Sequence, residues 1–328
     1  MEEIRLGTIG SGVIVHSILD GVKETEGIRC AAVYSRTWQR GSELAGCYGV
    51  EKVYTDMDRF LSDPEVNFVY IATPNLLHYE QAKKALLAGK NVICEKPFCT
   101  KWEHAKELVE IAKEKRLFLV DAVPTAFLPN FEILKRKLSE VGKIKLVMSN
   151  YSQYSSRYDV LKAGGMPNIF NPQYAGGCLM DINFYNVYLN VALFGKPEEA
   201  IYYPNLYAGV ADTSGIMVMR YDGFVCEASG AKDTWGQNYV QIEGEEGYIY
   251  VEGGSNGLSQ IKVVTKNAEE VLNDQDSSNR WLYEVRKVTS LVQADDYETI
   301  YEKLDTMLDV MWVLEQSRKA AGLFFPGD

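Results

Sequence analysis

The first 121 residues alternate between short apolar runs and segments whose apolar positions repeat at helical spacing. Ile4 to Ile9, Ile28 to Tyr34, Phe68 to Ala72, Val92 to Cys94 and Leu117 to Val120 read as strands. Leu76 to Ala88 and Lys101 to Arg116 read as helices between them. Such alternation predicts a parallel sheet with crossover helices. Thr100-Lys101-Trp102-Glu103 matches a capping box, which places a helix start at Thr100.

After about residue 122 the pattern changes to period-two alternation rich in Tyr, Val and Ile. A helix from Asn130 to Glu140 leads into strands at Lys143 to Tyr154, Ala200 to Tyr207, Ser214 to Tyr221, Phe224 to Gly230, Tyr239 to Glu243, Tyr248 to Glu252 and Gln260 to Thr265. Short connections such as Tyr221-Asp222-Gly223-Phe224 predict a largely antiparallel sheet. Helices are expected over Gly177 to Phe194 and Tyr297 to Ala321, and a mobile loop over the Asn-, Asp- and Ser-rich stretch Asn267 to Ser278. There is no internal repeat and no low-complexity segment.

Composition narrows the class. A chain of 328 residues with 46% hydrophobic content can build two cores. No apolar stretch reaches the roughly 20 residues that span a bilayer, and Met1-Glu2-Glu3 lacks the basic start of a secretory signal, so a cytoplasmic protein is expected. The net charge of −11 argues against a nucleic-acid partner. Six cysteines without a C-x-x-C pair, together with three histidines, offer no zinc-ligand spacing, and no metal is expected.

Gly10-Ser11-Gly12 follows the first strand and precedes the apolar Val13-Ile14-Val15. That is the context of a dinucleotide-binding turn, in which Gly10 makes the bend and Gly12 lets backbone N–H groups, those of Val13 and Ile14 included, approach a pyrophosphate. Val15 occupies the position where Gly or Ala is usual, which predicts a helix set slightly off the strand. The second strand ends Tyr34-Ser35-Arg36-Thr37 without the carboxylate that favours NAD. Arg36 there can stack on adenine and pair with a 2′-phosphate beside the Ser35 and Thr37 hydroxyls, with Arg40 a turn further on, so NADP is favoured over NAD. The alternative is that Arg36 is a solvated loop residue.

Glu95-Lys96-Pro97 carries the candidate chemistry. Pro97 keeps Lys96 extended at the carboxyl edge of the sheet, where a lysine can donate to a substrate oxygen. Far along the chain, Asp181 and Tyr185 are four apart and share a helical face. A phenol beside a lysine can act as acid and base, with the carboxylate orienting either; the bland alternative is an Asp favoured near a helix start plus a core Tyr. Asn168, Asn171, Tyr174 and Asn183 are polar groups near that helix start and are substrate candidates, although loop Asn residues also form turns.

Taken together, Gly10-Ser11-Gly12, Ser35-Arg36, Tyr70-Ile71-Ala72-Thr73-Pro74-Asn75 with His78, Gly89-Lys90-Asn91-Val92 leading to Glu95-Lys96-Pro97, and Gly176-Gly177 with Asp181 resemble the Gfo/Idh/MocA oxidoreductases. The resemblance implies a Rossmann domain over 1–121, and over 122–328 a substrate-binding α+β domain whose open sheet commonly forms a dimer face. By the same resemblance Ala72, Thr73, Pro74, Asn75, His78 and Glu95 line the cofactor cleft, and Lys96 lies near the nicotinamide. Many members carry His where this chain has Tyr185, and tyrosine resembles the glucose-fructose oxidoreductase and dihydrodiol dehydrogenase branch, in which the phenol moves the proton. Asp121-Ala122-Val123-Pro124-Thr125-Ala126-Phe127 departs from the family, because Ala126 stands where relatives often have arginine. The expected function is hydride transfer between NADP (or NAD) and a carbinol carbon of a sugar, polyol or trans-diol. The rivals are a cofactor-binding regulator without catalysis and an NAD-dependent glycosidase of the same fold.

Overall fold

In the computed structural model, which describes residues 3–328, β1 (Ile4–Ile9), β2 (Ile28–Tyr34), β3 (Val53–Tyr54), β4 (Phe68–Ile71), β5 (Asn91–Glu95) and β6 (Leu119–Ala122) form one sheet. Met1 and Glu2 of the acidic start lie outside the described residues. The strand order is β3-β2-β1-β4-β5-β6, and every neighbouring pair is parallel. Crossovers run through α1 (Val13–Lys23), α2 (Trp38–Tyr48), α3 (Met57–Leu61), α4 (His78–Leu87) and α5 (Trp102–Lys115). This is the doubly wound Rossmann arrangement, and its order reverses between β1 and β4, where ligands collect at the carboxyl ends of the strands. Gly7 has a packing reason: a Cβ there would come within 2.6 Å of the Phe60 ring on α3. Helix α5 starts one residue later than the capping-box pattern predicts, because Lys101, still extended at φ −131° and ψ 141°, takes the N-cap position.

The second sheet has eight strands. Helix α6 (Pro129–Lys137) precedes β7 (Ile144–Ser152), and α7 (Ser156–Lys162) and α8 (Phe184–Phe194) precede β8 (Glu199–Tyr207), β9 (Ala211–Tyr221), β10 (Phe224–Ala231), β11 (Tyr239–Gly244), β12 (Gly247–Glu252), β13 (Gln260–Thr265) and β14 (Glu269–Leu272). The order is β14-β13-β12-β11-β7-β10-β9-β8, antiparallel throughout except for the parallel pair β7 and β10. One face packs against α8, and the alternation follows: Met217, Met219 and Tyr221 are buried while Ile216 and Arg220 are exposed. The stretch expected to be a mobile loop, Asn267 to Ser278, contains β14 and is tied down beyond it. Asn130 Nδ2 donates to Asn273 Oδ1 at 2.9 Å and Asp274 N–H donates to Asn130 Oδ1 at 2.8 Å. Asn273 Oδ1 also accepts from Gln275 N–H at 3.0 Å, so the side chain holds the turn here.

The chain packs as two compact units, one running to Pro124 and taking in Ser277–Leu308, the other comprising Thr125–Asp276 and Asp309–Asp328. The stretch 277–308, expected in the second domain, thus packs with the Rossmann sheet. Within it, α9 (Arg280–Gln293) lies against α1, where a Cβ on Gly21 would sit 3.3 Å from Val285 Cγ2. The first turns of α10 (Tyr297–Ala320) bring Tyr297 onto Phe118, with ring centroids 4.0 Å apart. Among the described residues no helix is long and apolar enough to cross a membrane.

Candidate active site

A cleft of about 840 Å³ opens at the β1/β4 switch of the first unit. The β1–α1 turn contributes Gly10, Ser11 and Gly12 and α1 contributes His16, the end of β2 and the turn after it contribute Tyr34, Ser35, Arg36 and Thr37 and α2 contributes Arg40, and the loop after β4 contributes Ala72, Thr73 and Pro74. Gly10 has φ +119°, and a Cβ on it would lie 2.4 Å from the Ala72 carbonyl oxygen, so only glycine lets the two loops approach. Gly12 differs, since a Cβ on it would meet nothing within 4 Å. The protein's own packing leaves that space open, as close approach of a bound group requires.

Two helices begin at this cleft. Gly12 is the N-cap of α1 and Thr37 the N-cap of α2; neither helix has a side-chain cap or an acidic residue in its first turn. Their first backbone N–H groups have no acceptor four residues back, and with the positive end of each helix dipole they suit phosphate. Arg36 and Arg40 add cationic charge to a chain whose formal net charge is −11, with Glu43 the acidic residue of the lining. The donor set fits a dinucleotide: a glycine turn for the pyrophosphate and guanidinium groups at the end of β2. Val15, expected to hold the helix off the strand, is completely buried. Val13 is mostly exposed, and neither it nor Ile14 lines the cleft.

The remaining residues expected along the cleft take other places. His78 is buried, with Nε2 2.8 Å from Thr73 O and Nδ1 2.9 Å from Pro97 O. It links the loop after β4 to the turn after β5, and burial, with Lys96's charge adding, lowers its pKa against the pull of the two carbonyls. Asn75 opens the short 3₁₀ turn ahead of α4. Glu95, at the end of β5, is buried and accepts from Tyr70 Oη at 2.6 Å. Burial raises its pKa, while the Tyr70 hydrogen bond and the Lys96 charge oppose the rise. Asp121 is partly buried, with its Oδ1 shielded from solvent, and is pushed well above the usual carboxylate range by burial and by Glu95, against the opposing charge of Lys96. Lys96 itself is half-buried, directly after β5, and its bond to Pro97 is cis.

In the second unit the expected helix start is a π-helical turn, Leu179–Asn183, running into α8. Asp181 and Tyr185 flank the change of pitch, and π turns interrupt helices frequently at functional sites. Tyr185 is 5% exposed, its ring 6.0 Å from that of Tyr151. Asp181 is ion-paired with Lys232. That lysine carries a signal in the sequence that is easy to miss: it continues the inward parity of Cys226, Ala228 and Gly230 one step past β10. Asn183, a substrate candidate from sequence, is fully buried. Its Nδ2 donates to Ala228 O at 3.0 Å, and its Oδ1 accepts from Asn186 Nδ2 at 2.9 Å. Gly230 makes this possible, because a Cβ there would meet Asn183 Cβ at 2.6 Å. Asn171 caps the turn Pro172–Tyr174 by accepting from Gln173 N–H at 2.9 Å. Asn168 and Tyr174 remain exposed in the same loop.

Comparison with known proteins gives this geometry a family. Residues 4–121 match the oxidoreductase family with NAD-binding Rossmann fold, Gfo/Idh/MocA, and residues 136–250 match the Gfo/Idh/MocA C-terminal domain. A scyllo-inositol 2-dehydrogenase (NADP(+)) of Bacillus subtilis is 30% identical over 326 residues, covering 99% of each chain. A mouse trans-1,2-dihydrobenzene-1,2-diol dehydrogenase is 26% identical, again over 99% of each chain. Among solved structures, a 3-ketoreductase from Actinomadura kijaniata in complex with NADP and TDP-benzene superposes with a TM-score of 0.85 at 19% identity, covering 97% of this chain and 98% of the other. The chain belongs to the Gfo/Idh/MocA oxidoreductase family, and its first unit carries that family's NAD-binding Rossmann fold.

Proposed function

We propose that the protein is an NADP-preferring dehydrogenase or reductase that interconverts a carbinol and a carbonyl in a sugar, polyol or trans-diol. The observation that carries the cofactor reading is the cleft at the β1/β4 switch, where two acid-free helix starts meet Arg36 and Arg40. Relatives whose names state NADP(+) and act on an inositol, or act on a dihydrodiol, support the substrate class.

The bound nicotinamide would supply or accept the hydride at the carbinol carbon. Gly10, Ser11, Gly12, Ser35, Arg36, Thr37 and Thr73 would hold the nucleotide. In oxidation Tyr185 takes the hydroxyl proton as the carbonyl forms; in reduction it returns that proton to the oxygen. Lys96, through its ammonium, holds the substrate oxygen and favours the phenolate. Asp181 orients a neighbouring hydroxyl, a role that suits vicinal diols.

We also propose a homodimer through the open face of the eight-stranded sheet, where Ile201, Tyr203, Ile216, Val225 and Tyr248 stand exposed on the side away from α8. Light scattering on the wild type and on Ile216→Lys checks this. The six cysteines are free thiols, which favours a reducing compartment such as the cytoplasm.

The deciding experiment is a turnover assay with NADP and NAD against a panel of inositols, aldoses and trans-diols, with Lys96→Met and Tyr185→Phe alongside. Each substitution is expected to lower kcat by about 10²- to 10⁴-fold while NADPH still binds. Wild-type rates in both variants would remove the Lys96–Tyr185 mechanism.

A further inference from the structure

Lys232 is a buried cation that the mechanism above does not use. Its backbone is fixed on both sides: its N–H donates to Thr213 O at 2.8 Å, and its carbonyl accepts from Ser155 N–H at 2.9 Å. Only 3% of the side chain is exposed, and the ammonium pairs with the Asp181 carboxylate and lies 5.3 Å from the centre of the Phe170 ring. A lysine stripped of water in this way stays charged only where a neighbouring anion answers it.

Three carboxylates surround this place, and two are held by neutral donors. Asp212 accepts from Leu179 N–H at 2.7 Å and from Tyr202 Oη at 2.9 Å. It occupies the space a Cβ on Gly177 would need, and burial pushes its pKa up to about 6. Asp233 accepts from Thr213 Oγ1 at 2.6 Å and from Ser214 Oγ at 3.2 Å. Cys178 and Tyr202, also titratable, are buried and raised above their ordinary values, burial being the main cause for both, and the Tyr185 phenol stands four residues on from Asp181. Asp181 is the carboxylate that takes the lysine's charge, and 27% of its side chain remains exposed.

We propose that Lys232 is a positioning residue for the reaction: its buried ammonium keeps Asp181 ionised and fixed in direction, so that Asp181 remains an acceptor for a substrate hydroxyl as the pH falls. This rests on the reading of Asp181 as the residue that orients substrate. A neutral Asp181 would offer a proton where the substrate hydroxyl needs an acceptor. The ammonium delays that change, because an adjacent cation favours the ionised carboxyl.

The test compares Lys232→Met, which removes the charge at similar length, and Lys232→Arg, which keeps it, with Lys232→Gln as the second neutral variant should the Met form fail to fold. Three quantities are read: kcat and KM across pH, NADPH affinity by fluorescence titration, and titration of the Asp181 carboxylate by ¹³C NMR of Asp-labelled protein, assigned with Asp181→Asn. The neutral variant is expected to raise KM about tenfold and to move the acidic limb of kcat/KM up by about one pH unit. NADPH affinity stays at the wild-type value, and Lys232→Arg recovers most of the loss. The proposal is overturned if Asp181 titrates at the same pH in the neutral variant as in the wild type. It is equally overturned if the Met and Arg forms lose activity alike with a fall in Tm, the mark of a packing role. A wild type that turns over nothing in the panel, with the NMR shift present, would refute the substrate reading and still support the coupling of Lys232 to Asp181.

Discussion

The Tyr70 phenol donates to Glu95 Oε1 at 2.6 Å, joining β4 to β5 inside the first unit. The glutamate of the Glu-Lys-Pro motif is thereby a buried strut immediately before Lys96. Its neighbours explain why the strut is electrostatically loaded. Glu284 is also fully buried and Asp121 partly so, and each is pushed well above the usual carboxylate range by burial, with Glu95 adding to the rise.

A pH dependence of stability follows from the direction of these shifts. Below the ordinary carboxyl range the folded and unfolded chains both carry the protons. As pH rises the unfolded carboxyls ionise first, so the three groups withdraw stability up to their raised folded pKa values. Both oxygens of Glu284 lack a hydrogen-bond partner among the described residues, and Leu6, Ile18, Val22, Ile93 and Val288 line the small cavity at its side. Glu284→Met is expected to raise stability by on the order of 1–3 kcal/mol. Thermal unfolding should show a gap over wild type that is larger at about pH 8 than at about pH 5, since ionisation of the unfolded carboxyl with rising pH adds to the cost of the buried group's unpaired oxygens. An equal gap at both would contradict the linkage.

The two turn glycines should separate folding from binding. Gly10→Ala forces a Cβ to 2.4 Å from the Ala72 carbonyl at φ +119°, so it is expected to lower Tm and abolish nucleotide binding together. Gly12→Ala adds a methyl group to open space and is expected to keep the wild-type Tm while weakening NADPH binding more than about tenfold, by displacing the pyrophosphate. Differential scanning fluorimetry with and without NADPH distinguishes these outcomes.

Arg36 should set nucleotide choice. It lines the cleft at the end of β2 with no carboxylate at that strand's end. Arg36→Ala is expected to weaken NADPH about 10- to 100-fold, the worth of a charge-assisted hydrogen bond, and to leave NADH affinity unchanged. Parallel fluorescence titrations measure the ratio, and equal losses for both nucleotides would assign Arg36 to the adenine face alone.

The last residues of the chain are held by a buried ion pair within the second unit. Arg318 is completely buried; its guanidinium bonds Asp328 through both terminal nitrogens and donates to Leu323 O at 3.0 Å. Burial pushes the Asp328 carboxyl up, but its hydrogen bonds from Arg318 and from Phe325 N–H outweigh this and hold it below the usual range. Arg318→Met strands that carboxylate and should cost about 3–5 kcal/mol. Adding Asp328→Asn should cost little more, as expected of coupled partners in chemical denaturation.

Much of the first sheet was legible because a parallel strand between crossover helices leaves a long apolar run: Ile4–Ile9 and Ile28–Tyr34 stand where the pattern places them. Helix α2 was not, since Gly41 and Gly46 interrupt its periodicity. Motif spacing singled out the glycine turn and Arg36, which line the cleft, and Lys96 directly after β5, as candidates from a few neighbouring residues. It could not separate Asn183, whose amide fastens a π turn to β10, from a substrate contact, because both use the same side chain.

The sequence by itself determined the class of sheet, the glycine turn and the set of candidate groups, since periodicity and glycine chemistry act over a few residues. Tertiary structure decided which polar groups are consumed by packing and which lysine answers Asp181. Lys232 lies 51 positions from that carboxylate, and only the pairing of β10 beside β7 and β9, with the π turn laid across it, brings the two charges into one buried pair.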